Sequence, residues 1–227
     1  MKEAGKPIGH QNRYLAVGNY ETIDDVFNNA QTGSINSVAP GQVVPGDFIY
    51  IDFDSNGILN GQDKVAVDEL NYPLHTYRLN LGFDWKGLSF SAMFYAPTGV
   101  YKLVNSVYSA SFKSGKINAQ PDVMNAWTPE TANTSGVRAP ALHLTNDGAF
   151  NGTESTYRYQ NFSYLRLKTM ELGYNLPKKW LKTVGLKSLQ VYVTGNNLLT
   201  WWGGDDRIDP EGEQVQYPIL RSFTSGV

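Results

Sequence analysis

The sequence predicts an all-β chain built on long antiparallel strands. Apolar and polar side chains alternate with a period of two over His75–Trp85 and again from Leu88 to Ala96. Only Lys86-Gly87 separates the two runs, which makes a β-hairpin. Helix signals are few and short, and no apolar run reaches the roughly 18 residues of a membrane helix. Period two by itself fits two architectures. In a soluble β-sandwich the apolar face packs on a second sheet and the polar face meets water. In part of an outer-membrane barrel the apolar face meets lipid and the polar face lines a lumen.

The elements follow in order. Asn12–Tyr20 and Asp47–Asp52 are weaker strand candidates. Thr22-Ile23-Asp24-Asp25 reads as a capping box opening a helix of about two turns. In His75–Trp85, Tyr77, Leu79, Leu81, Phe83 and Trp85 share one face, and Thr76, Arg78, Asn80, Gly82 and Asp84 the other. Leu88, Phe90, Ala92, Phe94 and Ala96 line the second strand. From Pro97 to about Asn161 the chain is polar and irregular, far beyond ordinary loop lengths. Short helices are expected at Asp122–Trp127 and Lys178–Val184, each after a proline. A third strand covers Ser163–Tyr174. Leu165 and Leu167 are out of phase with Leu172 and Tyr174, so a bulge is expected between them. A fourth strand starts at Leu189, and a fifth covers Ile219–Val227 after the polar stretch Gly203–Tyr217.

Three details favour the barrel. Tyr77 to Trp85 spans about 27 Å, giving roughly 20 Å of height at a 40° tilt, close to a barrel's apolar band. Aromatic residues stand at both ends of that run, and its polar face carries Arg78 and Asp84. Short and long connections alternate, as periplasmic turns and extracellular loops do.

The composition excludes several functions. Nineteen Lys and Arg against 21 Asp and Glu give a net charge of −2, so no nucleic-acid partner is expected. Zero cysteines exclude disulfides and thiolate chemistry. His10, His75 and His143 have no ligand spacing, and no Gly-rich phosphate loop occurs. The acids Asp205, Asp206, Glu211 and Glu213 sit in a polar loop and read as solvated, with Asp209-Pro210-Glu211 shaping a turn. The chain is therefore not expected to be an enzyme.

One segment suggests a metal. Asp52, Asp54, Asn56, Ile58 (by its carbonyl), Asn60 and Asp63 fall at positions 1, 3, 5, 7, 9 and 12 of a calcium loop, with Gly57 at its sharp turn. Hard oxygen ligands suit Ca²⁺, although Asp63 replaces the usual bidentate Glu. No helices are expected to flank the loop, which looks more like that of dockerins than an EF-hand. The competing reading is an Asx-rich turn held by its own hydrogen bonds. Among aromatic residues of the expected external loops, Tyr101, Trp127, Tyr157 and Tyr159 are the candidates to stack on a ligand. The same rings also suit a small core within the loop.

The chain resembles the C-terminal third or quarter of SusC-like, TonB-dependent outer-membrane transporters of Bacteroidetes. The matching stretches are Gly5–Gly9, Pro45–Gly57 with Asp63, Trp127-Thr-Pro-Glu130, Tyr164–Lys168, Glu171–Pro177, Val191–Leu198, Asp209-Pro-Glu211 and Tyr217-Pro218. The resemblance implies a C-terminal segment of a transmembrane antiparallel β-barrel, about five to seven strands out of about 22, with long extracellular loops. Residues 1–70 would form an extracellular region with the calcium-like turn. Residues 71–227 would form barrel strands, with an external loop over about 97–162. It further implies import of glycans or peptides, a SusD-like surface lipoprotein partner, contact with outer-membrane lipid, and TonB engaged through upstream residues. Met1–His10 lacks the apolar region of a signal peptide, and the chain is expected to be a truncated gene product, a fragment or one portion of a longer polypeptide. A soluble calcium-binding β-sandwich that binds glycans is the alternative.

Overall fold

The computed structural model describes residues 5–28, 32–33, 43–104, 124–132, 139–142, 151–183, 185–212, 214 and 217–227. Its strands are β1 (Gln11–Arg13), β2 (Ala16–Asn19), β3 (Thr32–Gly33), β4 (Phe48–Tyr50), β5 (Ile58–Leu59), β6 (Val65–Val67), β7 (His75–Trp85), β8 (Leu88–Thr98), β9 (Tyr101–Leu103), β10 (Tyr159–Asn161), β11 (Tyr164–Asn175), β12 (Gln190–Trp202) and β13 (Ser222–Gly226). Short helices cover Ile23–Asn28 and Lys178–Thr183. The helix expected at Asp122–Trp127 lies partly outside the described residues. The chain divides into two units: Met1–Glu69 with Lys102–Gln160, and Leu70–Tyr101 with Asn161–Val227. Much of the segment read as one external loop thus belongs with the N-terminal region.

The second unit holds a five-stranded sheet in the order β13-β12-β11-β8-β7. All four pairings are antiparallel. The expected bulge is present: the register of β11 shifts between Leu167 and Thr169 against both neighbours. It lets Leu165 and Leu172, out of phase in sequence, face the same side. β12 runs on to Trp202 through an irregularity at Asn197, whose φ of 52° is left-handed. The weak candidates in the N-terminal region add nothing to this sheet. They form the two-stranded pairs β1–β6 and β2–β4 of the first unit.

The register assembles rows of like character. Trp85, Leu88, Tyr174 and Val191 are direct neighbours across β7, β8, β11 and β12. So are Phe83, Phe90, Leu172 and Val193, with the Phe83 and Phe90 rings 5.4 Å apart. On the opposite face Gly82, Ser91, Glu171, Thr194 and Thr224 form a row across all five strands. Among the described residues no second layer covers the apolar face: Tyr77 is 59% exposed, Phe83 52%, Leu172 46% and Val193 50%. Ala92, Leu167 and Leu198 are buried there beside Phe90 and Phe94 of the same sheet. A sandwich requires this face to be covered; among the described residues nothing covers it.

The first unit has its own core of Tyr14, Tyr20, Val43, Phe48, Tyr50 and Leu59. Pro45-Gly46-Asp47 locks its edge. Gly46 has a φ of +94°, and a Cβ there would lie 2.5 Å from that of Ala141 and 2.6 Å from the Trp127 ring, so only glycine fits. The buried Asp47 carboxylate accepts the Val44 amide at 2.9 Å and the Asn151 side-chain amide at 2.7 Å.

Candidate functional site

The polar face of the sheet is a continuous hydrophilic surface. The Thr194 hydroxyl donates to Glu171 at 3.2 Å, and Arg78 donates to the sulfur of Met93. Toward its far end stands Arg166, only 2% exposed. Its Nε donates to the Thr200 hydroxyl at 2.8 Å, Nη1 to Glu211 at 2.8 Å, and Nη2 to both carboxylate oxygens of Asp209 at 2.9 Å. Lys168 donates to the other Glu211 oxygen. Asp209 also accepts the Glu211 amide at 2.9 Å and the Gly212 amide at 3.3 Å. Asp209-Pro-Glu211 thus does shape its turn, as expected. Glu211 departs from the solvated role expected of it: it is half of a charged clasp that folds the loop after β12 back over the polar face. A buried guanidinium requires such partners. Asp205, also read as solvated, pairs with Arg207. That side chain holds its carboxyl below the usual range.

The acidic loop folds around its own side chains. Asp52, Asp54 and Asp63 each offer one oxygen within 4.8 Å of the others. Asp52 accepts the Gly57 amide at 2.7 Å, and its other oxygen is buried with no hydrogen-bond partner. Burial pushes Asp52 up, but the amides of Gly57, Ser55 and Asn56, with the Asp54 side chain, outweigh it and hold the carboxyl below its ordinary value. Asp63 is fully buried and accepts the amides of Phe53 at 2.9 Å and Asn60 at 2.8 Å. The remaining candidates turn to local partners. Asn56 accepts from the Ile58 amide at 2.7 Å, and the Asn60 amide side chain donates to the Ile58 carbonyl at 3.2 Å.

Three of the candidate aromatics have local partners within the first unit. Trp127 is 8% exposed, and its indole N–H donates to Glu21 at 3.0 Å. Tyr157 packs on Phe48 with ring centroids 4.5 Å apart. Tyr159 lies under the Arg13 guanidinium at 3.1 Å. Tyr101 is half-buried in β9. Tyr108, Phe112 and Phe150, also aromatic in the expected external loops, lie outside the described residues. Sequence reasoning missed Arg166. The signal it offered was a cation in Tyr164-Leu-Arg-Leu-Lys168, on the polar phase of an otherwise apolar strand.

No protein-family profile matches the chain. TonB-dependent receptor P3 of Formosa agariphila is 30% identical over 202 residues, covering 82% of this chain and 19% of that protein. TonB-dependent receptor P26 of the same organism is 34% identical over 210 residues, covering 81% and 19%. Among solved structures, the RagAB peptide importer in its open-open state aligns with 99% of this chain and 23% of its own, at a TM-score of 0.66 and 22% identity. The closed-closed state aligns at a TM-score of 0.63. The chain thus spans about a fifth of the length of the relatives it matches.

Proposed function

From its homology to TonB-dependent receptors, which reside in the bacterial outer membrane and perform no bond chemistry, we infer that this chain forms a strip of the wall of an outer-membrane importer. The observation that carries this reading is the bare apolar face of the five-stranded sheet, backed by a polar face. At roughly 1 kcal/mol or more for each half-exposed large side chain, covering that face contributes on the order of 10 kcal/mol. Lipid supplies the cover without a second protein layer. Aromatic residues border the band at both ends: Tyr77 and Trp201 at one, Trp85 and Tyr174 at the other. The polar face then lines the lumen, and the loop clasped by Arg166 lies on the lumen side.

The imported cargo is read as a peptide or an oligosaccharide, and the partner as a SusD-like surface lipoprotein over the long-loop end. The resemblance to SusC-like transporters and the alignment with a peptide importer support both. Nitroxide labels at single cysteines from Tyr77 to Trp85, in the full-length receptor in bilayers, test the wall. Odd positions are expected to be relaxed by oxygen dissolved in lipid, and even positions by an aqueous nickel complex. Odd positions shielded from both reagents would mean a covering protein layer and would overturn the reading.

The acidic loop is proposed to bind calcium through Asp52, Asp54 and Asp63, with affinity in the range of extracellular modules. For a dissociation constant of about 1 mM, 10 mM calcium stabilises the loop-bearing unit by about 1.4 kcal/mol. Calorimetry at neutral pH is expected to show a raised melting temperature with calcium, absent with Asp52→Asn. Because folding lowers the Asp52 pKa, its own contribution is present above the ordinary carboxylate range and fades as pH falls through the lowered value. The calcium effect should disappear over the same acidic window. An unchanged melting temperature at 10 mM calcium would leave the loop a self-bonded turn.

A further inference from the structure

The short-turn end of the sheet carries a cluster that wall-building does not require. The Lys86-Gly87 turn ends the β7–β8 hairpin, and the Asn175 amide donates to the Gly87 carbonyl at 2.7 Å. The β11–β12 connection therefore leaves from the same end, closed by the Leu176 amide on the Leu189 carbonyl at 2.9 Å. Between Asn175 and Gln190 the sequence holds Lys178, Lys179, Lys182 and Lys187 and no acid. All four lysines are exposed, and among the described residues none has an acidic partner. Trp180, in the short helix, is 63% exposed, while Leu181 one residue on is 3% exposed and anchors it. Trp85, where the apolar band stops, is also 63% exposed, with the Lys86 ammonium 4.9 Å from its ring centroid.

Unpaired lysines and an exposed indole beside an apolar band match one environment, the headgroup layer of a bilayer. The stem of a lysine lies along apolar surface while its ammonium reaches phosphate, and indoles prefer the interface. We propose that Lys178, Lys179, Lys182 and Lys187, with Trp180, form a basic collar that holds anionic phospholipid headgroups of the leaflet at the short-turn end. The proposal rests on the reading of the bare face as lipid-facing, since that face delivers the leaflet to the collar. Four positive charges without a counter-charge select anionic over zwitterionic headgroups.

The test uses the full-length receptor in detergent, titrated with phosphatidylglycerol or phosphatidylcholine and followed by native mass spectrometry. The unsubstituted protein is expected to retain phosphatidylglycerol in preference. The variant K178Q/K179Q/K182Q/K187Q is expected to lose that preference by at least roughly tenfold, since each lysine near an anionic surface contributes about fivefold. The corresponding all-arginine variant should keep it, which separates lost charge from lost folding. About 0.5 M salt should weaken the preference as the glutamines do. Equal retention of both lipids by the unsubstituted protein, or an unchanged preference in the glutamine variant, would overturn the collar and leave the wall standing. A nitroxide scan showing a covered apolar face would remove both.

Discussion

Replacing Arg166 with methionine is expected to destabilise the sheet-bearing unit by about 3–5 kcal/mol, well above the roughly 1 kcal/mol of an exposed ion pair. The guanidinium is 2% exposed and gives five of its contacts to Thr200, Asp209, Glu211 and the Tyr164 ring. Methionine fills the space but removes the cation that Asp209 and Glu211 share, leaving Lys168 as the one remaining partner cation among the described residues. The loop after β12 should then lift, bringing Arg207 within reach of trypsin. Urea titration of the receptor in lipid reads the first effect, and the rate of cleavage after Arg207 the second. The combined R166M/D209N/E211Q variant removes the stranded charges and should recover much of the loss. A single R166M variant within 0.5 kcal/mol of the parent would mean that the clasp does not hold the loop.

Arginine at position 170 should cost about 2–4 kcal/mol, and at position 174 only about 0–1. Met170 sits mid-strand on the apolar face, between Ala92 and Gly195, whereas Tyr174 sits near the short-turn end beside Leu88 and Val191. The two are equally exposed at 37%, so a water-covered sheet would treat them alike, each within about 0.5 kcal/mol. Only a medium whose polarity changes with depth separates them. Folding titrations into vesicles of the full-length receptor carrying Met170→Arg or Tyr174→Arg measure that difference. Equal costs would argue that this face does not cross a bilayer.

The long strands were legible because each repeats its pattern over many residues. β7 runs His75–Trp85 as read, and the phase slip between Leu167 and Leu172 announced the bulge of β11. β12 was read as starting at Leu189, and it runs Gln190–Trp202 although the left-handed Asn197 interrupts the alternation; hydrogen bonding to β11 carries it past that point. The first unit was hardly legible. Its strands are two to four residues long, and its ties are distant in sequence, such as Asn151 to Asp47 and Trp127 to Glu21. No periodicity records such contacts. The clasp was hidden for the same reason: 43 residues separate Arg166 from Asp209. The convergence of Asp52, Asp54 and Asp63 was legible because their spacing is local in sequence.

The sheet runs in a simple succession, each strand lying beside the next one in chain order, with a long excursion between β8 and β11. That layout makes the two kinds of segment unequal under insertion and deletion. Doubling the excursion costs only about 0.6 kcal/mol of closure entropy. One residue gained or lost within β8 or β11 turns every later side chain of that strand to the wrong side, unless a further bulge absorbs it. Divergence in length should therefore accumulate in the excursion, so that a lineage can remodel that segment while the strands of the sheet stay fixed in size.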